Sequence, residues 1–121
     1  MPIKTKRWND PVEADDGLRL LVCRYRPRGV RKGDEAWDAW NSALGPSREL
    51  IADYHGKHGA PIGWSEFRRR YLAEMRTQKG AVKELAKSAR SGKTVTLLCS
   101  TACTDADRCH RTLLKKLVDQ A

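Results

Sequence analysis

The chain has 121 residues, enough for one domain, and with 40% hydrophobic against 32% charged residues it has little apolar residue to spare for a core. Twenty-four Lys and Arg against 15 Asp and Glu leave a net charge of +9, which favours anionic partners: phosphate, nucleic acid or an acidic surface. Composition excludes collagen-like, coiled-coil and low-complexity classes, and no stretch approaches the roughly 20 apolar residues of a membrane span.

In chain order, Ile3 to Trp8 predicts a short strand, stopped by Asn9, Asp10 and Pro11. Pro11 to Asp16 reads as an acidic loop. Leu18 to Arg24 is a near-continuous apolar run, suited to a strand covered on both faces, and it ends in the turn signal Tyr25-Arg26-Pro27-Arg28-Gly29. Residues 34–44 read as either strand or helix, with Trp37 and Trp40 spaced to share one side of a helix. Gly45-Pro46-Ser47 carries start signals for a helix to about Tyr54, and His55 to Gly63 is a loop. Trp64, Phe67, Tyr71, Leu72 and Met75 mark an amphipathic helix, and Val82, Leu85, Ala86 and Ala89 mark the next, ended by Ser91-Gly92. Thr94 to Cys99 is a β-branched and apolar strand. A polar loop from Ser100 to Thr104 follows, then a helix with Leu113, Leu114, Leu117 and Val118 on one face and Asp105 as its expected N-cap. The whole chain, residues 1–121, is expected to be one small α/β domain, three-layered (α/β/α-like), around a short and mainly parallel sheet.

Ligands of open parallel sheets bind beyond the carboxyl ends of the strands. The three expected strands end at Trp8-Asn9, at Arg24 to Gly29, and at Cys99 leading through Cys103 to Arg108-Cys109-His110-Arg111. Parallel strands would bring these turns to one rim. Arg24, Arg26, Arg28, Arg108, His110 and Arg111 would there bind an anion, phosphate or carboxylate, with Trp8, Asn9 and Cys99 as further pocket residues. A helix N-terminus and nearby Arg residues lower the pKa of a thiol, so Cys109 or Cys103 is the candidate nucleophile for sulfur or phosphoryl transfer. Cys103 to Arg108 has the Cys-x4-Arg length of rhodanese-like loops, though it lacks Gly and carries two Asp.

Other readings compete. Cys23 and Cys99 lie in apolar runs and are expected to be buried small hydrophobes. Cys99, Cys103, Cys109 and His110 could ligate zinc, but their spacing is not the paired Cys-x2-Cys pattern, and adjacent helical residues point in different directions. No metal and no cofactor are therefore expected. Basic residues are concentrated in 1–32, at +5, and 63–93, at +6, which also suits a non-catalytic nucleic-acid-binding accessory protein whose binding falls steeply with salt. The residues after Met1 lack the apolar segment of a secretory signal, so the expected location is the cytoplasm.

The segment Arg24-Tyr-Arg-Pro-Arg-Gly-Val30 resembles the Arg-Leu-Trp-Pro-Arg-Gly-Val motif of the YeaO-like family of small bacterial proteins, a domain-of-unknown-function family (DUF488). Trp40-Asn-Ser-Ala-Leu-Gly-Pro-Ser-Arg-Glu-Leu50 and Trp64-x-x-Phe67-x-x-x-Tyr71-x-x-Glu74 are also similar to that family, as are Val95 to Cys99 and Cys109-His110-Arg111. Tyr25 and Arg26 depart from it, standing where the family usually has Leu and Trp. The resemblance implies an α/β domain with a polar, Arg-rich site, and no particular reaction.

Overall fold

The computed structural model describes residues 3–101 and 103–121, so that Met1 and, within the expected loop 100–104, Ala102 lie outside the described residues. Four strands, β1 (Ile3–Arg7), β2 (Leu18–Leu21), β3 (Ala39–Trp40) and β4 (Val95–Cys99), form one sheet in the order β1-β4-β2-β3, and every neighbouring pair is parallel. Four α-helices accompany them: α1 (Arg48–Tyr54), α2 (Trp64–Met75), α3 (Lys79–Arg90) and α4 (His110–Gln120). β4 is central and wholly buried, which matches its unbroken apolar and β-branched sequence.

Alternation along the strands separates two faces. Ile3, Leu20, Val22, Val95 and Leu97 point into the main core, where they meet Leu50, Phe67, Tyr71, Met75, Val82, Ala86, Leu113, Leu114 and Val118 from all four helices. Leu21, Leu98 and Cys23 point the other way, into a smaller cluster with Trp37. The α/β class and parallel sheet are as expected; the layer over this second face is built from loops and 3-10 turns, while the α-helices gather over the first.

The second face also holds a buried ion cluster. The Asp16 carboxylate is 1% exposed and receives Lys4 Nζ at 2.8 Å, Lys6 Nζ at 2.8 Å and the Arg19 guanidinium at 2.5 Å. The Glu13 backbone N–H donates to it at 3.1 Å, and the Asp16 carbonyl accepts the Thr96 hydroxyl at 2.7 Å. Arg19, which interrupts the apolar run of β2, is thus buried because a carboxylate three residues earlier is buried with it. Gly17 makes the connection: its φ is +62°, and a Cβ there would lie 2.1 Å from the Thr94 carbonyl oxygen.

Several elements differ from expectation. Residues 34–44 form no helix. A 3-10 turn at Lys32–Asp34, the two-residue β3 and a second 3-10 turn at Ser42–Leu44 take that stretch. Trp37 and Trp40 consequently do not share a helical side: Trp37 is buried and Trp40 is 43% exposed. Asp105 caps a 3-10 turn at Ala106–Arg108, accepting from Asp107 N–H, and Cys109 occupies the N-cap position of α4.

Burial alone would raise the Asp16 pKa, but hydrogen bonds from Lys4, Lys6, the Glu13 N–H and Arg19 hold it far below the usual carboxylate range. Because the folded pKa is depressed, the unfolded chain binds the extra proton. The stabilisation is complete above the unfolded value of ~3.9 and is lost as pH falls towards the folded pKa. Asp16→Asn leaves Arg19 and Lys6 facing a neutral group, with an expected cost of ~3–5 kcal/mol. Urea unfolding at neutral pH measures that loss, and the variant's stability should depend less on pH below ~4 than the wild type's.

Candidate functional site

The parallel sheet delivers Trp8, Cys23 to Arg28, the 41–47 segment and Cys99 to Cys103 to one edge. The 41–47 segment is fastened there by side chains from both sides. Arg24 donates to the Gly45 carbonyl at 3.1 Å and the Pro46 carbonyl at 3.0 Å, Trp40 Nε1 donates to the Cys23 carbonyl at 2.7 Å, and Tyr71 Oη donates to the Leu44 carbonyl at 2.7 Å. Glu74 accepts the Ser47 N–H at 2.8 Å and its hydroxyl, while Ser47 Oγ caps α1 by accepting from Leu50 N–H. Gly45 lies so close to β2 that a Cβ would sit 2.5 Å from the Arg24 nitrogen.

Within this frame three sulfurs converge. Cys99 Sγ lies 3.1 Å from Cys103 Sγ and 3.2 Å from Cys109 Sγ, and all three lie within 4.8 Å of one another. His110 is buried; its Nε2 lies 2.8 Å from the Val22 carbonyl and its Nδ1 3.8 Å from Cys99 Sγ. The spacing argument against such convergence fails because Cys109 is not helical: with φ −135° and ψ 140° it is extended, so that Cys109 and His110 both reach Cys99. Cys23, expected only to fill the core, joins these residues in lining a cavity of about 210 Å³, closed on its other sides by Tyr54, Phe67 and Ile51.

The thiols are not equivalent. Cys99 and Cys109 are buried, and neighbouring thiols and burial push both well up. Cys103 is only half-buried; hydrogen bonds from Cys109 and Cys99, with a smaller contribution from the Ser100 hydroxyl, push it down. Burial lowers the His110 pKa, which keeps the imidazole neutral.

A basic trough of about 830 Å³ adjoins the cavity and shares Cys23, Tyr25, Ile51, His55 and Ser100 with it. Arg26, Arg28, Arg48 and Lys57 line the trough, together with Trp8, whose ring meets Trp37 edge-on at 5.8 Å. Arg24 and Arg108 line the cavity. The cations differ in availability. Arg24 is occupied by backbone carbonyls, and Arg26 is held by Glu35 at 2.8 Å, by the Val30 carbonyl at 2.8 Å and over the Trp37 ring. Arg28, Arg48 and Lys57 have no carboxylate partner among the described residues, Arg48 lying over the Tyr25 ring.

Two expected site residues stand elsewhere. Asn9 is exposed and lines neither space. Arg111 is buried behind the Cys103 loop, donating to the Cys103 carbonyl at 3.3 Å, because its position in the first turn of α4 aims it away from the cavity. Sequence reasoning missed Arg48, Lys57 and His55; the only signal for them was their position in and just after α1, which packs beside the β2 turn.

The chain belongs to the DUF488 family: the family model described as "Active DUF488-N3 subclade" matches residues 3–121. It is 41% identical over 100 residues to "Uncharacterized protein YeaO" of Escherichia coli, covering 83% of this chain and 84% of the relative. It is 32% identical over 117 residues to "Uncharacterized protein Mb3100c" of Mycobacterium bovis and to "Uncharacterized protein Rv3073c" of Mycobacterium tuberculosis, covering 97% of this chain and 93% of each relative. No solved structure matches the chain. No helix among the described residues is long and apolar enough to cross a membrane.

Gly45→Ala tests how tightly the frame is closed. The added methyl meets backbone rather than a flexible side-chain end, so the 41–47 segment must lift from β2. A loss of ~1–3 kcal/mol is expected, as for other overpacked sites, and the alkylation rate of Cys23 in the folded protein should rise with it.

Proposed function

We propose that this DUF488 protein binds a small anionic ligand, phosphate or carboxylate, in the trough at the carboxyl edge of the sheet, and presents Cys103 to it as a reactive thiol. The observation that carries this reading is the shared wall: a trough lined by unpaired cations opens directly beside a cavity lined by four cysteines. Arg28, Arg48 and Lys57 supply donors that no protein carboxylate consumes, and guanidinium groups match phosphate and carboxylate oxygens in pairs. Arg24 and Arg26 are bonded to the protein itself, Arg24 to the Gly45 and Pro46 carbonyls and Arg26 to Glu35 and over the Trp37 ring.

Cys103 is preferred over Cys109 on access. Cys109 is 2% exposed beneath the N-terminus of α4, whereas Cys103 is half-buried on the loop and receives hydrogen bonds from Cys99 Sγ and Ser100 Oγ. Membership of a subclade described as active supports a site that does chemistry. The size of the trough leaves room for more than a bare phosphate, so a phosphorylated or carboxylated metabolite fits it better than an inorganic ion alone.

Two measurements test the reading. Phosphate should raise the melting temperature of the wild type, and Arg28→Ala with Arg48→Ala should remove most of that rise; equal stabilisation of both proteins rejects the anion site. Iodoacetamide at neutral pH, followed by peptide mapping, should modify Cys103 at least tenfold faster than Cys99 or Cys109 in the folded protein. Equal rates at the three thiols reject Cys103 as the reactive one.

A further inference from the structure

We propose that Cys99, Cys103, Cys109 and His110 form a binding site for a thiophilic divalent cation, zinc being the best match. The inference uses none of the basic trough, so the anion site stands or fails without it; it shares Cys103 with the functional reading, whose reactive thiol is then that of the metal-free protein.

The sulfur positions supply the first argument. Three thiols from a strand end, a loop and a helix N-cap are gathered with every Sγ within 4.8 Å of the other two. A tetrahedral zinc with Zn–S bonds of ~2.3 Å needs sulfurs roughly 3.8 Å apart. The observed Cys99–Cys103 and Cys99–Cys109 separations of 3.1 and 3.2 Å therefore need widening by about 0.6–0.7 Å on loading, the first by a shift of the half-buried Cys103 on its loop and the second by a small rotation of the Cys109 side chain.

His110 supplies the second and independent argument. The Val22 carbonyl can only accept, so the His110 Nε2 at 2.8 Å carries the hydrogen, and in the neutral ring Nδ1 is left as a bare lone pair. Nδ1 lies 3.8 Å from Cys99 Sγ but outside the group of three sulfurs within 4.8 Å of one another, so loading must draw Cys103 and Cys109 towards it. A metal-ligating histidine almost always donates its other ring N–H in this way, commonly to a backbone carbonyl, which fixes both tautomer and ring orientation. Tyr71 packs against the ring at 5.5 Å and secures it further. Three thiolates and one imidazole are a recognised zinc donor set.

Binding would release the thiol protons: three Cys S–H groups and one divalent cation give a tris-thiolate complex of net charge −1 and three protons, with no change in oxidation state. The positive end of α4 and Arg108 lie beside that charge.

The test is a cobalt(II) titration of the full-length protein, reduced and stripped of metal, in phosphate-free buffer. One equivalent should bind with an intense thiolate-to-cobalt charge-transfer band in the near ultraviolet, and zinc should bleach it. Cys99→Ser with Cys109→Ser should abolish the band, and His110→Ala should keep it while weakening affinity by about tenfold or more. Because these buried substitutions can unfold the chain, wild-type protein supplies the second readout: one equivalent of zinc should slow alkylation of Cys103 at least tenfold. A wild-type protein showing no charge-transfer band and no zinc protection overturns the site. So does cobalt binding that persists unchanged without Cys99 and Cys109.

Discussion

Parallel pairing is the constraint on which the site depends. With β1, β4, β2 and β3 all running the same way, each strand releases its next residues at one edge of the sheet, whatever their separation in sequence. Trp8, Cys23 and Cys99 are thereby brought to one rim, although 76 residues separate the two cysteines. The register narrows the placement further: Arg7 lies opposite Cys99 and Leu21 opposite Leu98, so the loops after β1, β2 and β4 begin at nearly the same height. An antiparallel β4 would have placed its cysteines at the far end. The cavity is therefore a consequence of topology before it is one of side-chain chemistry.

Holding strands parallel requires both faces to be covered, and the two faces are covered by different physics. The helical side is apolar and closes by packing. The other side carries Lys4 and Lys6 on β1 and Arg19 on β2, three cations that would repel one another without the buried Asp16 carboxylate among them. That one residue ties β1 to β2 across β4, and its carbonyl ties to Thr96 of β4 itself. Buried charges of this kind contribute little net stability when complete and cost several kcal/mol when broken. The acidic loop before β2 is thus structural.

Most of the fold was legible because its signals are local. The periodicity from Trp64 to Met75, the Ser47 cap and the apolar β4 each state their own structure. Residues 34–44 were not legible, since β3 has two residues and is held by β2 rather than by its own propensity. At the site, the rim was foreseen from strand direction, but two features were hidden. Arg24 and Arg26 look like ligand-binding cations in sequence; only coordinates show that the Gly45 and Pro46 carbonyls hold the first and Glu35 the second. The sulfur cluster was hidden by the assumption that Cys109 is helical. The motif residues Tyr71 and Glu74, which carry much of the resemblance to the family, fasten the 41–47 segment rather than face the cavity.

Arg111 clarifies why the cysteine loop can hold its position. It is 6% exposed, it donates to the Cys103 carbonyl, and its Nε has no partner among the described residues. The Arg7 backbone N–H and guanidinium hold the Asp10 carboxyl below the usual range, and the charge of Arg111 adds a smaller contribution. Asp10 in turn accepts the Arg7 N–H at 2.8 Å, directly where β1 ends. Asp10 thus secures the β1 terminus, and Arg111 holds the backbone that carries Cys103. The sequence places Arg111 next to His110 and so offers it as a ligand-binding cation; the fold uses it as a prop behind the loop, leaving the cavity face to sulfur and imidazole and the trough to Arg28, Arg48 and Lys57. Arg28, Arg48 and Lys57 thus line the trough alone, and Cys99, Cys103 and Cys109 the cavity alone, with Cys23 common to both.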